Sequence, residues 1–153
     1  MRKNVEELLI QLEEKLNYFE HKNEKISEGT VGWHIEHSLL VIIKICESVS
    51  SSNPEKYQWK FNLKWLIVSV IGSLPRGKAK APPTVIPESV LSATSLKESF
   101  SLAKTAIESL KKCYPNQYFF HPFFGKMNQK STLEFFSIHT NHHLKIIKDI
   151  LEK

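Results

Sequence analysis

The sequence predicts an all-α fold, a helical bundle in a single domain over residues 1–153. Five segments place apolar residues at a helical period, and no segment sustains the strict alternation of a half-buried strand. With 153 residues, the chain has the length of one domain and can bury roughly two thirds of the surface that it exposes when unfolded. Four or five helices in a domain of this size indicate a bundle.

The first two helices are predicted from a cap and from an apolar arc. The first runs from about Val5 to Phe19, and Asn4 followed by Glu7 three residues later forms a capping-box pattern at its start. The second runs from about Gly29 to Ser48. Its apolar residues cover most of the circumference, so we expect it to be the most buried element.

The third helix is predicted from about Tyr57 to Ser73, with a stop at Gly72 and Pro75. Its apolar run "LKWLIVSVIGSL" is too short and too interrupted to cross a hydrocarbon layer of about 30 Å, so we expect a buried helix. The valines and isoleucines also suit a buried strand. Since no partner strand is visible elsewhere, helix is the preferred interpretation.

The last two helices follow a proline-rich loop and an aromatic turn. The fourth is predicted from about Ser95 to Lys112. The aromatic turn "YFFHPFF" is expected to pack at the end of the bundle, or else to form an apolar wall of a pocket mouth. The final helix is predicted to begin after Ser131, whose spacing to Glu134 is again a capping box, and to run to the C-terminus.

Composition excludes several classes of protein. The chain is 41% apolar and 24% charged, which is ordinary for a soluble globular domain. Cys46 and Cys113 lack CxxC spacing, and no secretory signal is visible, so we expect a reduced, cytoplasmic protein. The net charge of +5 comes mostly from lysines that lie beside glutamates on helices. Such faces are typical of solvated surface, so we expect neither a nucleic-acid nor a membrane partner.

The strongest chemical signal is the pair His139 and His143 in "SIHTNHHLKII". Residues four apart share one helix face, and the apolar neighbours on that side indicate that the pair faces inward. The two histidines of the HExxH zinc motif have the same spacing. Thr140 stands where that motif has its glutamate base, which disfavours a metalloprotease. His142 lies at the edge of the apolar stripe, as a rim or supporting residue.

A catalytic metal site usually needs a third protein ligand, and the candidates are His34, His37 and His121. His37 lies on a polar arc of its helix, which fits either solvent or the polar wall of a cleft. The alternative for the inward pair is a polar seam in the core, where each histidine finds a hydrogen-bond partner.

Three motifs taken in order carry a family resemblance over nearly the whole chain: "GWHIEHSLLVI", "LPRGKAKAP" and "HPFFGKMNQKSTLEFFSIHTNHHLKII". They resemble the DinB-like superfamily of metal-dependent proteins, and more narrowly a branch with an Arg-Gly-Lys loop and a His-Pro-x-Phe-Gly turn before the final helix. The resemblance implies a four-helix bundle with a divalent metal, nickel or zinc first and iron as a further candidate. It assigns the ligands to His37, His139 and His143.

Other residues are candidates for the surroundings of this centre. We expect His34 to orient a ligand or to face solvent. His121 either reaches over the metal or is a structural turn residue before Pro122. Arg76 and Lys78 would bind an anionic substrate group if their loop folds over the site; the alternative is a solvated loop.

The resemblance implies a small-molecule substrate, with two reactions in view. One is a thiol-dependent S-transferase that uses a low-molecular-weight thiol, and the other is a hydrolase that uses metal-activated water. The alternative is a noncatalytic bundle, with a structural metal or with a role in forming a homodimer. Whether the protein is an enzyme stays open at this stage.

Overall fold

The computed structural model describes residues 3–77 and 80–153. In this part of the chain the fold is mostly helical, as expected, and it carries in addition a small two-stranded sheet. The helices are α1 (Val5–Glu13), α2 (Val31–Ser51), α3 (Leu63–Ile71), α4 (Ala93–Lys111) and α5 (Gln129–Glu152), and the strands are β1 (Tyr118–His121) and β2 (Gly125–Asn128).

The core lies where α2 meets α4 and α5 and where α1 meets α5. Fully buried leucine, isoleucine and phenylalanine side chains from α1, α2, α4 and α5 fill it. Since α2 contacts both α4 and α5, residues around most of its circumference are buried. Any polar residue that α2 turns toward α5 therefore sits inside the protein.

The start of α1 agrees with the sequence, but its end does not. The Asn4 side chain accepts a hydrogen bond from the Glu7 amide at 2.8 Å, and the Glu7 carboxylate accepts one from the Asn4 amide, so the capping box is confirmed. The helix ends at Glu13, followed by a 3-10 turn at Leu16–Tyr18, whereas the prediction extended to Phe19. The Phe19 carbonyl accepts from the amide of Gly32 instead, which draws the chain away from the helix axis.

The start of α5 corrects a second prediction. Asn128 is the N-cap, and its side chain accepts from the Ser131 amide at 3.1 Å. Ser131 lies inside the first turn of the helix, where its hydroxyl donates back to the Asn128 carbonyl. The helix therefore begins at Gln129, two residues before the predicted capping box.

The aromatic turn before α5 is a β-hairpin, which the sequence pattern did not predict. The strands β1 and β2 pair in antiparallel register, from Tyr118 opposite Asn128 to His121 opposite Gly125. Gly125 has a φ of +74°, in the left-handed region that glycine adopts without strain. Each strand has four residues, which is too short for an alternating pattern to be recognised. The hairpin packs on α2 and α5.

The third helix is shorter and far more exposed than expected. Asn62 caps its start, and Gly72, with a φ of +69°, ends it as predicted. Of the nine residues of α3, all of them described, Val68 alone is buried, so the expectation of a buried helix is wrong. In the described chain, no helix is both long and apolar enough to span a bilayer.

Candidate metal centre

Three histidines from two helices meet in the interior between α2 and α5. His37 comes from α2, and His139 and His143 lie one turn apart on α5. One ring nitrogen from each lies within 4.8 Å of the others. The three residues are 5, 9 and 7% exposed, respectively. His37 therefore faces the interior rather than solvent, the choice that the helical periodicity left open.

The ring of His37 is held on two sides. Its Nδ1 atom donates a hydrogen bond to the backbone carbonyl of Val85 at 2.7 Å. The indole of Trp33, one turn earlier on α2, stacks on the imidazole with the ring centroids 5.0 Å apart and the planes at 15°. Both contacts fix the orientation of the ring and leave Nε2 as the nitrogen available to a ligand.

The Gly-Trp pair in the sequence explains how His37 is placed. Gly32 donates its amide to the Phe19 carbonyl at 2.7 Å, and a Cβ at this glycine would stand 2.9 Å from the same oxygen. Only glycine permits this close approach. The Trp33 amide donates to Thr30 Oγ1 at 3.0 Å, which caps α2 at its first turn. The start of α2, and with it the position of His37, is thereby fixed.

His143 is held by a chain of hydrogen bonds. Its Nδ1 atom lies 2.9 Å from Nδ1 of His34, and Nε2 of His34 lies 2.9 Å from the hydroxyl of Ser27. The Ser27 oxygen also accepts from the Gly29 amide. One Nδ1 must donate and the other accept, so a His143 that binds a ligand through Nε2 donates to His34, which in turn donates to Ser27. His34 thus orients a candidate ligand.

His139 completes the cluster through ring contacts. Its centroid lies 4.6 Å from that of His143, 5.2 Å from that of His37 and 5.5 Å from that of Phe135. Phe135 lies one turn before His139 on α5 and is itself buried. It places an apolar ring against the imidazole of His139.

Burial decides the protonation of the cluster. It lowers the pKa values of His139 and His143 well below the usual range, and the charges that neighbouring histidines would carry lower them further. The pKa of His37 is also lowered by burial, with an opposing effect from the hydrogen bond to Val85. Neutral imidazoles are the form that binds metal ions, so the three rings are ready to act as ligands at physiological pH.

The donor set fits a divalent transition metal. Imidazole suits nickel, zinc and iron, and metal-bound histidines normally donate their other ring N–H to a carbonyl or another acceptor, as His37 and His143 do here. The triad could therefore hold a divalent ion, and imidazole donors do not select among these metals.

Comparison of this chain with protein-family models, with curated proteins and with solved structures finds no match. The resemblance to the DinB-like superfamily therefore stays a prediction from the residue pattern.

Part of the basic loop after α3 lies near the histidine cluster. Arg76 donates from Nη1 to Asp149 Oδ2 on α5 at 2.8 Å. Burial lowers the pKa of His34 to about 4, and the charge of Arg76 is among the smaller causes. The charge of Arg76 also lowers the pKa of His142, where burial is again the largest cause. The positive charge of Arg76 therefore acts on two histidines beside the triad, His34 and His142. Lys78 lies outside the described residues.

The two remaining candidate residues, His142 and His121, lie beside the cluster without joining it. His142 meets His143 edge to face with centroids 5.2 Å apart, and it is partly buried, as expected for a rim residue. His121 ends β1, stacks on Phe124 at 4.3 Å and accepts the Phe123 amide on its Nδ1. It is a structural residue of the hairpin in these contacts.

Three contributors to the site were missed by sequence reasoning. Val85 acts through its backbone carbonyl, and a carbonyl leaves no signal in the residue type. Ser27 lies in a loop outside every motif, and nothing in the sequence marks it. Trp33 stood next to a candidate ligand in the Gly-Trp pair, so its stacking on His37 could have been predicted from the helical spacing of four residues.

Proposed function

We propose that this protein is a metal-dependent enzyme of the DinB-like type, a four-helix bundle in which His37, His139 and His143 hold a divalent ion. Nickel and zinc are the first candidates and iron is the third. The proposal rests on one observation above all: three ring nitrogens from two helices lie within 4.8 Å of one another in a buried site.

The supporting contacts strengthen this assignment over a polar seam in the core. A seam needs each imidazole to find a hydrogen-bond partner. Here the carbonyl of Val85 and the ring of His34 bind the outer nitrogens of His37 and His143. The inner nitrogens are left turned toward one another, an arrangement that a shared cation stabilises.

An open site favours catalysis over a purely structural ion. Structural zinc sites are closed by four protein ligands, whereas the group of metal-competent side chains found among the described residues has three members. His34 is engaged with His143 and Ser27 and does not serve as a fourth ligand. Coordination positions would therefore remain for substrate.

The proposed chemistry is activation of a nucleophile. A divalent ion lowers the pKa of a coordinated thiol or water, which supplies a nucleophile at neutral pH. A low-molecular-weight thiol as substrate would make the protein an S-transferase, and water would make it a hydrolase. Phe135 and Trp33 place apolar rings against His139 and His37. Arg76, now paired with Asp149, would bind an anionic group of the substrate.

Elemental analysis of the purified protein tests the ligand set. Wild type offered nickel, zinc and iron should retain stoichiometric metal, and His37→Ala and His143→Ala should lose most of it while keeping their helical circular dichroism. His21→Ala is the matched control, because His21 is exposed and lies outside the triad; it should bind as wild type does. Wild type without metal, or His37→Ala with full metal, would refute the assignment.

Metal removal then separates the catalytic from the structural role. A chelator should strip the ion without unfolding the protein, and reloading with nickel in the presence of a small thiol should produce a sulfur-to-metal charge-transfer band. Unfolding of the metal-free protein would favour the structural alternative. A loaded protein with no spectral change on adding thiol would favour the hydrolase over the S-transferase.

A further inference from the structure

The helix α3 turns its apolar stripe outward. Five of its residues follow the helical spacing i, i+3, i+4, i+7, i+8, the pattern that normally marks a core-facing side. Here each of the five is between 45 and 74% exposed. We define the α3 face as these residues together with two exposed aromatic residues in the segment that leads into the helix: Leu63, Leu66, Ile67, Val70, Ile71, Trp59 and Phe61.

The opposite side of α3 is already anchored to the protein. Trp65 packs on Phe124 with centroids 5.3 Å apart, and Val68 is buried. The Asn62 side chain donates to the Phe123 carbonyl at 3.1 Å. The helix therefore cannot rotate to bury the α3 face without breaking its contacts with the hairpin.

The area of the α3 face is that of a stable interface. With aromatic side chains of about 150–250 Å² and smaller aliphatic ones, the exposed fractions leave on the order of 800 Å² of surface in solvent. The largest apolar patch on a typical monomer is about 300–600 Å². A standard protein interface buries about 800 Å² on each partner, which is the area available here.

We infer that the α3 face is the interface of a homodimer, and that its occupant is the same face of a second copy. The seven side chains of the α3 face are uncharged. The two lysines next to them in the sequence are exposed: Lys64 extends over the ring of Phe123, and Lys60 lies between Trp59 and Phe61. Two copies related by a twofold axis would place identical apolar stripes against each other while these flexible lysines keep their ammonium groups in the solvated rim, and such an isologous contact closes after two subunits.

A lipid surface fits the α3 face less well. Helices that lie in a membrane interface have a strongly charged face opposite the apolar one. The opposite face of α3 instead holds Trp65, which packs on Phe124 of the hairpin, and the buried Val68. With nine residues, α3 is also shorter than most helices of that kind.

The mass of the full chain in solution tests the interface. Size exclusion with light scattering should give wild type twice the chain mass of 17.7 kDa at micromolar concentrations. Val70→Glu, at a position 74% exposed, should halve that mass without changing the circular dichroism. Val90→Glu is the matched control, because Val90 is 81% exposed outside the α3 face; it should stay dimeric.

A cross-link tests the symmetry. Ile67 lies at the middle of the stripe, so a twofold axis brings two copies of this residue together. In a Cys113→Ser background, Ile67→Cys should form a disulfide-linked dimer under mild oxidation, while Val90→Cys should stay unlinked. The homodimer would be overturned if wild type were monomeric or if Val70→Glu stayed dimeric. It would also be overturned if Ile67→Cys and Val90→Cys cross-linked to the same extent. Monomeric wild type that sediments with anionic phospholipid vesicles, when Val70→Glu does not, would overturn it too.

Discussion

The histidine cluster between α2 and α5 and the apolar face of α3 depart in opposite ways from the usual distribution of residues. In the cluster, polar imidazoles are buried; the Val85 carbonyl accepts from His37, and His34, itself bonded to Ser27, bonds His143. On α3, aliphatic side chains at core-like spacing are exposed, and no described element covers them. We propose a divalent ion as the partner of the first arrangement and a second copy of the chain as the partner of the second.

The difference between these two regions shows which patterns of burial and exposure are informative. Apolar surface is common on folded proteins, but a contiguous apolar patch or a buried group of polar side chains is informative. The core around α2 tolerates the buried imidazoles because hydrogen bonds offset their loss of water. The anchored position of α3 tolerates the exposed stripe because caps at Asn62 and Gly72 and contacts with the hairpin hold the helix.

The largest effect should come from the same substitution in the two regions. Leu39 on α2 is fully buried and Leu63 on α3 is 59% exposed. Leu39→Ala should lower the free energy of unfolding by about 3 kcal/mol, because it removes buried methyl groups and leaves a cavity. Leu63→Ala should change it by less than about 0.5 kcal/mol.

Denaturant unfolding of metal-free protein measures both values, at concentrations low enough that the chain is monomeric. Equal losses for Leu39→Ala and Leu63→Ala would mean that α3 is buried in the isolated chain. Such a result would remove the contrast between the two regions and the basis for the dimer interface with it.

A second, smaller effect concerns the support of His143. Loss of a residue that orients a metal-bound histidine typically weakens metal binding about 10–100-fold. His34→Ala should therefore raise the dissociation constant for zinc or nickel by this factor, while Ser27→Ala, one hydrogen bond further away, should raise it less. Competition with a chromophoric chelator measures the constants.

The exposed His21 supplies the control for this series. His21→Ala removes an imidazole outside the chain of hydrogen bonds and should leave the dissociation constant unchanged. If Ser27→Ala weakened binding more than His34→Ala does, the order of the chain from His143 to Ser27 would be wrong. If His34→Ala bound metal as wild type does, the contact would have no role in positioning the ligand.

The parts of the fold that were predicted from sequence depend on neighbouring residues. The capping box joins the side chains of Asn4 and Glu7 to amides three residues away, and at the stop the Gly72 amide donates to the Val68 carbonyl four residues earlier. The start of α5 was misplaced because Asn128 and Ser131 are both competent caps three residues apart. The hairpin was not predicted because its glycine turn joins two strands that are too short to show an alternation of apolar and polar residues.

In the candidate site, too, the features that were predicted depend on residues close in the sequence. The pairing of His139 with His143 follows from a spacing of four residues on one helix. The inward position of His37 depends on the Val85 carbonyl, 48 residues away, so its own helix could not reveal it. The exposure of α3 was unpredictable for a related reason. An apolar stripe indicates that a surface is to be covered, but it does not indicate whether the same chain or a second copy covers it.

The last expected effect is a pH dependence that comes from the half-buried His121 of the hairpin, outside both compared regions. Burial lowers the pKa of His121 to about 4, against about 6.5 for an exposed histidine. Between these two values the unfolded chain binds a proton that the folded chain does not. The free energy of unfolding should therefore fall as the pH is lowered from about 6.5 to about 4, and this contribution should level off below that range.

Replacing His121 by phenylalanine isolates this contribution. The His121→Phe ring can still stack on Phe124 but cannot titrate, so the metal-free variant should lose less stability than wild type across the same pH range. The remaining slope would come from the other histidines whose pKa values burial lowers, which are the triad and its neighbours His34 and His142. Loss of the hydrogen bond from the Phe123 amide should lower stability by a constant amount at every pH, which leaves the slope untouched. Identical slopes in urea unfolding series would show that His121 gains its proton equally in the folded and unfolded states, and hence that the hairpin does not shield it from water.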